Sequence, residues 1–203
     1  MRHAKSSWSD GSLSDHERPL NERGERAATA VANALIARKY APDIIWCSDA
    51  VRTRQTATLI IRAIPGPQVV NYNSDFYHAS AEQVLSICGK QIEPDGNLML
   101  LGHNPGWAAL HSYFTGQSHD YPTGACTVLK RSDNTDGDWL DPASWRFIDL
   151  VLPRELMRWK QHSQRFGDYS TPSPFIQYWS AYLSGFILKA RIGYMVWQLS
   201  PSF

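Results

Sequence analysis

Residues 43–64 read DIIWCSDAVRTRQTATLIIRAI, an apolar run followed by a short polar turn and a helical pattern. The run DIIWC is typical of a buried strand, because the β-branched and aromatic residues Ile44, Ile45 and Trp46 follow one another directly. Helical spacing then extends from Arg52 to Ile64 and stops at Pro65-Gly66-Pro67. This order of strand, turn and helix indicates an α/β domain with a largely parallel sheet.

The same alternation continues on both sides of this stretch. Asn21 can cap a helix that runs to about Lys39, and Ser80 with Gln83 forms a capping box that opens another. The predicted helices are therefore 22–39, 52–64, 81–92 and 107–114. The predicted strands are 43–47, 69–72, 97–101, 126–130 and 146–152, with a polar loop over 132–138. We predict a three-layer α/β/α sandwich around a mostly parallel central sheet.

The charge of the chain divides unevenly along its 203 residues. The whole chain has a net charge of +1. Residues 1–155 carry 15 basic and 18 acidic side chains, whereas residues 156–203 carry 5 basic and 1 acidic side chain and 11 of the 24 aromatic residues. We therefore expect a domain over 1–155 and a basic, aromatic-rich tail over 156–203. An acidic domain is poorly suited to holding nucleic acid over a wide surface.

Composition also excludes several classes of protein. The three cysteines Cys47, Cys88 and Cys126 are an odd number and show no metal-ligand spacing, so neither a disulfide framework nor a zinc site is predicted. The opening residues RHAKS lack the apolar segment of a secretory signal. No uncharged apolar run in the domain approaches the ~20 residues that cross a bilayer. We expect a cytoplasmic protein.

Chemistry-bearing residues follow the predicted strands. In open α/β sheets, ligands bind beyond the carboxyl ends of the strands. His103 directly follows strand 97–101, and Arg52 lies just beyond strand 43–47. Arg2 and His3 would occupy a third such position if a strand preceded them.

Four segments in this order resemble the motifs of the histidine phosphatase superfamily, and most closely those of SixA-type phosphohistidine phosphatases. The segments are RHAKS at 2–6, RPLNERG at 18–24, SDAVRTRQT at 48–56 and GHNPG at 102–106. The resemblance spans about residues 1–155 and implies a phosphoglycerate mutase-like fold.

The resemblance also implies a mechanism. His3 matches the family's nucleophile, which attacks phosphorus and forms a phosphohistidine that water then hydrolyses. Arg2, Arg52 and His103 match the phosphate pocket, and Arg18 is expected to add a further phosphate contact. Because arginines supply the positive charge, no metal or other cofactor is expected. The nearby guanidinium groups should disfavour protonation of His3.

The general acid is less clearly marked. Many members of this superfamily place a carboxylate beyond the sheet to protonate an alkoxide leaving group. The corresponding segment 73–78 offers only Asp75 as an acid. A poor acid would favour a phosphohistidine substrate, because a protonated imidazole is already a good leaving group.

Three functions remain open from the sequence. The first is a phosphatase for phosphohistidine in a protein of the histidine phosphotransfer type, consistent with the absence of a long lid insertion between His3 and His103. The second is a phosphatase for a small phosphomonoester or sugar phosphate. The third is a catalytically weak phosphate-binding or adaptor protein.

Other polar residues are expected to have lesser roles. We expect Arg54 to be a solvated helix residue, and Lys5, Ser6 and Asn104 to support the site or form turns. Cys47 and Cys88 are predicted core residues. No functional role is predicted for the remaining histidines, which are His16, His78, His111, His119 and His162.

The chain departs from the family pattern in two places. The family's first motif follows a central strand, but only Met1 precedes Arg2, which suggests either an upstream start codon or a degraded copy. The tail includes fourteen uncharged residues over 175–188, too few to span a membrane. It could form a helix packed on the domain, a helix on a membrane surface or in a partner's groove, or non-native sequence such as frameshifted translation.

Overall fold

The centre of the sheet consists of three parallel strands in the computed structural model, which describes residues 1–132 and 137–158. These strands are β1 (Ile44–Ser48), β2 (Val69–Asn73) and β3 (Leu98–Leu101), in the order β2-β1-β3. Ile45 of β1 aligns with Val70 on one side and with Met99 on the other. Two further strands, β4 (Cys126–Arg131) and β5 (Trp145–Val151), form an antiparallel pair.

Residues 1–3 connect the two groups of strands. On one side, the His3 N–H donates to the Gly102 C=O (3.0 Å), and Arg2 forms a parallel bridge with Gly102 just after β3. On the other side, the Arg2 N–H donates to the Ala125 C=O (2.9 Å) just before β4. Beyond this connection, an apolar groove of about 1050 Å³ separates β3 from β4.

Helices cover both faces of the sheet, which confirms the predicted three layers. On one face lie α1 (Glu22–Ala37) and α2 (Val51–Ala63), whose buried side chains pack on Ile45 and Leu101. On the other face lie α3 (Ala81–Cys88) and α4 (Gly106–Thr115), which pack around Phe76. Each helix thus buries one apolar stripe and leaves the opposite side to solvent.

The helix starts follow the predicted capping residues. The Asn21 side chain accepts a hydrogen bond from the Gly24 N–H (2.8 Å) at the start of α1. Ser80 and Gln83 form both bonds of the predicted capping box at the start of α3. The prediction for the end of α3 was wrong, because the helix stops at Cys88 rather than near Ile92. Gly89 follows at once, and glycine is disfavoured in a helix interior by its backbone entropy.

The remaining predictions concern the cysteines, membrane-crossing helices, the tail and the polar loop. Cys47 and Cys88 are buried core thiols, as predicted. Over the ranges 1–132 and 137–158, no helix has the length and apolar character needed to cross a membrane. The predicted tail lies outside the described residues beyond residue 158, and so does most of the predicted loop 132–138.

Candidate active site

Residues that follow the carboxyl ends of β1 and β3 meet Arg18 and residues of the segment 2–8 around a cavity of about 220 Å³. The structure brings together the five predicted phosphate-site residues that line it: Arg2, His3, Arg18, Arg52 and His103. The remaining lining residues are Lys5, Ser6, Trp8, His78, Asn104 and Thr123. The cavity therefore combines three guanidinium groups with three imidazole rings.

His3 is buried, and one of its ring nitrogens is already occupied. Nδ1 lies 2.6 Å from the Ala4 C=O. A carbonyl oxygen only accepts, so Nδ1 carries the proton and Nε2 keeps its lone pair. Burial, helped by the Arg52 and Arg2 guanidinium groups, lowers the pKa of His3 from 6.5 to about 4. A neutral ring with a free Nε2 is the form that can attack phosphorus.

His103 is held beside His3, with 5.1 Å between the ring centroids. Its Nδ1 lies 3.3 Å from Arg52 Nη2, and its Nε2 lies 2.9 Å from Ser48 Oγ. Because a guanidinium group only donates, Nδ1 accepts this bond and Nε2–H donates to Ser48. Burial, together with His3 and Arg52, holds the pKa of His103 well below its usual range.

A carboxylate, Asp15, ties two of the guanidinium groups together. Its Oδ2 lies 2.8 Å from Arg52 Nη2, and its Oδ1 lies 2.7 Å from Arg18 Nη1. The Tyr77 hydroxyl also donates to Oδ2 (2.7 Å). Burial alone would raise the pKa of Asp15, but the Tyr77, Arg52 and Arg18 contacts outweigh it and hold the pKa far below the usual range. These contacts favour the ionised form of Asp15, which accepts hydrogen bonds from all three side chains.

Arg18 is fixed on three sides. Its Nη2 donates to Ser6 Oγ (2.7 Å), its Nε donates to the Ser7 C=O (2.9 Å), and its guanidinium group lies 3.1 Å from the centre of the Trp8 ring. A cation over an indole ring is electrostatically favourable. The orientation of Arg18 thus depends on the segment 6–8 as well as on Asp15.

Arg2 lines the cavity and keeps one of its donors without a partner among the described residues. Its Nη1 donates to the Tyr121 C=O (2.8 Å). Its Nε is buried and has no hydrogen-bond partner within the described part of the chain. A buried donor without an acceptor costs about 1–3 kcal/mol. Over the same residues, no group of three or more His, Cys, Asp or Glu side chains is arranged to hold a metal ion.

Sequence comparison relates the chain to a known protein family. Residues 1–73 match the model of the histidine phosphatase superfamily (branch 1). An uncharacterized chloroplastic protein of Arabidopsis thaliana is 34% identical over 168 residues, which cover 75% of this chain and 76% of that protein. An uncharacterized protein of Mycobacterium tuberculosis is 31% identical over 167 residues, which cover 76% of this chain and 100% of that protein. The chain belongs to the histidine phosphatase superfamily.

Solved structures agree with this assignment. A protein of Agrobacterium tumefaciens assigned as phosphohistidine phosphatase SixA is 31% identical and superposes with a TM-score of 0.61, over 75% of this chain and 95% of that one. The protein histidine phosphatase SixA in complex with tungstate shares the fold at 17% identity, with a TM-score of 0.59 over 77% of this chain and 96% of that one. This histidine phosphatase is therefore an enzyme with the phosphoglycerate mutase-like fold.

Asp75 is the predicted site residue that the structure does not bring to the cavity. It lies exposed in a short 3₁₀ turn, Ser74–Phe76, and its backbone N–H donates to the Asn73 side chain (2.8 Å). The next residue, Phe76, is buried. Because successive side chains of this turn point in different directions, burying Phe76 leaves Asp75 toward solvent.

Three residues around the cavity of this histidine phosphatase were not identified from the sequence. Asp15 and Tyr77 contact Arg52 from outside the cavity lining, and His78 is part of that lining. The sequence predicted no functional role for His78, and its place in the cavity lining was not anticipated. The available signal is its position in the segment 73–78, which corresponds to the segment that carries the acid in other members of the superfamily. Arg54 stacks 4.6 Å from the centre of the Tyr72 ring, away from the cavity, as predicted.

Glycine is required where helix α1 approaches the first motif. A Cβ atom on Gly24 would lie 2.1 Å from the Lys5 carbonyl oxygen, far inside the normal contact distance. The absence of a side chain lets the start of α1 pack directly on the segment that carries Lys5 and Ser6. This contact explains why the RPLNERG segment ends in glycine.

Proposed function

We propose that this histidine phosphatase removes phosphate from phosphohistidine in a protein, through a phosphohistidine intermediate at His3. The observation that carries the proposal is the state of His3, whose Nδ1 is bound to the Ala4 C=O while the ring lies buried among Arg2 and Arg52. The nucleophilic nitrogen is thus neutral and oriented before substrate arrives. Such preorganisation converts binding energy into a lower barrier.

In the first step, His3 Nε2 forms a bond to phosphorus while the bond from phosphorus to the substrate nitrogen breaks. The electron pair of that bond moves to the leaving imidazole, whose other nitrogen carries a proton. Negative charge spreads over the three equatorial oxygens of the transferring group. Arg2, Arg18 and Arg52 supply donors to these oxygens, and guanidinium groups can do so through two parallel hydrogen bonds.

In the second step, water attacks the phosphorus atom of the phosphohistidine at His3. The bond between phosphorus and Nε2 breaks, its electrons return to the ring, and inorganic phosphate leaves. The Nδ1 contact with Ala4 keeps the ring in the same orientation for both steps. Splitting one displacement into two lowers each barrier.

Two features of the cavity support a protein substrate. At about 220 Å³ it is smaller than the ~300–1,000 Å³ of pockets that enclose drug-sized ligands, so it suits a phosphoryl group on the end of a side chain. In addition, no carboxyl group lines it among the described residues. A phosphorylated imidazole needs a carboxylic acid less than an alkyl phosphate does. The similarity to the Agrobacterium tumefaciens protein agrees with this substrate, and a cytoplasmic phosphorelay protein would be the partner.

The test separates chemistry from substrate choice. The enzyme is incubated briefly with a labelled phosphodonor, and the label is mapped by peptide mass spectrometry. We expect it on His3 in the native protein and nowhere in His3→Ala. His119→Ala is the matched control, because this half-buried histidine lies outside the cavity lining. Turnover without label on His3 would overturn the mechanism.

Substrate choice is tested on the same preparation. A phosphohistidine-bearing phosphotransfer protein and p-nitrophenyl phosphate are compared side by side by their kcat/KM values. We expect the phosphoprotein to be preferred. If the small ester is preferred, the enzyme is a phosphomonoesterase that uses the same His3 chemistry. If neither is hydrolysed, the chain is a phosphate-binding protein rather than an active phosphatase.

A further inference from the structure

His78 occupies the mouth of the cavity, and the mechanism above gives it no part. It lines the cavity while its side chain stays 55% exposed. Its backbone has φ +54°, in the left-handed region that few residues other than glycine adopt. Residues held in that region cluster at functional sites. This backbone turns the chain at the end of the segment 73–78 and places the ring against His103.

The two ring nitrogens of His78 differ in their surroundings. Nε2 lies 3.3 Å from Asp15 Oδ2. Because Asp15 is ionised by Arg18, Arg52 and Tyr77, it can only accept, and Nε2 is the donor of this bond. Nδ1 has no hydrogen-bond partner among the described residues. An oriented imidazole with one nitrogen on a carboxylate and the other free is the arrangement of a general acid and base.

His78 and His3 each contact the ring of His103. The His103 centroid lies 5.1 Å from that of His3 and 5.6 Å from that of His78. No ring contact in the described part of the chain joins His3 to His78 directly. Phosphoryl transfer places the attacking and leaving atoms roughly in line on opposite sides of phosphorus. A group that serves the leaving atom must therefore line the cavity without touching the His3 ring, and His78 meets both conditions.

We infer that His78, oriented by Asp15, exchanges protons with the leaving group and with the attacking water; this inference rests on the proposed function. In the first step, Nδ1–H of the protonated ring gives its proton to the leaving atom as that atom takes the electron pair of its bond to phosphorus. In the second step, the neutral Nδ1 takes a proton from the water that attacks the phosphorylated His3. The ring is then protonated again for the next cycle, so protons balance.

The test compares leaving groups that differ in their need for a proton. Nitrophenolate departs without protonation, whereas phenolate is a poorer leaving group and gains more from an acid. We expect His78→Asn to lower kcat/KM for phenyl phosphate at least about tenfold more than for p-nitrophenyl phosphate, since a general acid contributes at least about a hundredfold where it is needed. Asparagine is chosen because it tolerates the left-handed backbone.

Controls distinguish a chemical role from a structural one. His78→Gly should repeat the result, because glycine also adopts this backbone conformation. His16→Asn is the matched control: its ring packs 4.9 Å from Tyr77 and its Nε2 contacts Asp49, but it does not line the cavity. It should lower the kcat/KM values for the two esters equally or not at all. An equal loss on both esters in His78→Asn and His78→Gly, or no loss, would overturn the role of His78.

Failure of this inference can be told apart from failure of the proposed function. Phosphorylation of His3 by p-nitrophenyl phosphate is measured in the native enzyme and in His78→Asn. If His3 is not phosphorylated in the native enzyme, the proposed mechanism fails, and the role of His78 fails with it. If His3 is phosphorylated and the two esters respond equally to the substitution, the role of His78 alone is wrong.

Discussion

Asp15 holds Arg52 in place, with its Oδ2 atom 2.8 Å from Arg52 Nη2 and its backbone carbonyl accepting a second bond from Nη1. Two bonds from one residue fix both the position and the plane of the guanidinium group. The Arg52 side chain is 4% exposed, whereas that of Asp15 is 41% exposed. The carboxylate therefore reaches Arg52 from the solvent side and orients a group that lies deep in the cavity.

Replacing Asp15 with Asn should reduce activity through Arg52. The amide keeps the size of the side chain but removes the charge that pairs with Arg52 and Arg18. We expect kcat/KM for p-nitrophenyl phosphate to fall at least about tenfold, because small errors in the position of a catalytic group cost large factors in rate. Asp49→Asn, which alters a carboxylate bonded to His16 outside the cavity lining, is the control. Equal rates in the two variants would contradict this role.

Arg52→Lys should be far more harmful than Arg54→Lys. Lysine keeps the charge but loses the planar pair of donors that matches a phosphoryl group. Removing one such transition-state donor costs roughly a hundred- to a thousandfold in kcat, and we expect Arg52→Lys to fall in this range. Arg54 lies two positions further along α2 and stacks on Tyr72. Its replacement should therefore change kcat less than about twofold. Steady-state kinetics with p-nitrophenyl phosphate checks both.

His3 should titrate far below an ordinary histidine. Burial lowers its pKa from 6.5 to about 4, so its ring resonances followed by NMR should show a midpoint near pH 4. His3→Ala identifies the resonances by their loss. Because the unfolded chain protonates His3 near pH 6.5 and the folded protein resists this, the free energy of unfolding should decrease as the pH falls from 6.5 to 4. A midpoint near 6.5 would show that the ring is not held in its neutral form.

Gly24→Ala should destabilise the protein, whereas Gly11→Ala should not. The added Cβ at position 24 meets the Lys5 carbonyl oxygen at 2.1 Å, and at position 11 it meets nothing within 4 Å. Overpacking of this kind costs about 1–3 kcal/mol, which urea denaturation measures directly. The Gly24→Ala variant should also lose activity, because the displaced segment carries Ser6, a contact of Arg18. Equal midpoints for the two variants would contradict the close packing.

Much of the fold could be predicted because local signals and tertiary packing agree. The apolar run at 43–47 lies within one residue of β1, and the Asn21 cap and the Ser80 capping box begin α1 and α3 as predicted. The five residues Arg2, His3, Arg18, Arg52 and His103 were predicted from motifs, and the cavity contains all of them. Apolar runs, helix caps and ordered motifs can therefore be recognised from the sequence alone.

The contacts that the sequence did not reveal depend on loop conformation. Asp15 and Arg52 are 37 positions apart, and no periodicity relates a loop residue to a helix residue. In the segment 73–78, the choice between Asp75 and His78 depends on a 3₁₀ turn and on one left-handed residue. The same segment buries Phe76, a packing contact that local preference does not determine.

The link formed by residues 1–3 has a consequence for how the molecule opens. Backbone hydrogen bonding between the β2-β1-β3 group and the β4-β5 pair passes through these residues, next to the groove of about 1050 Å³. In hydrogen exchange, the amides of β4 should therefore lose protection before those of β1, as a separate cooperative unit. Since His3 belongs to this link, detachment of the hairpin and loss of the nucleophile's alignment should be a single event.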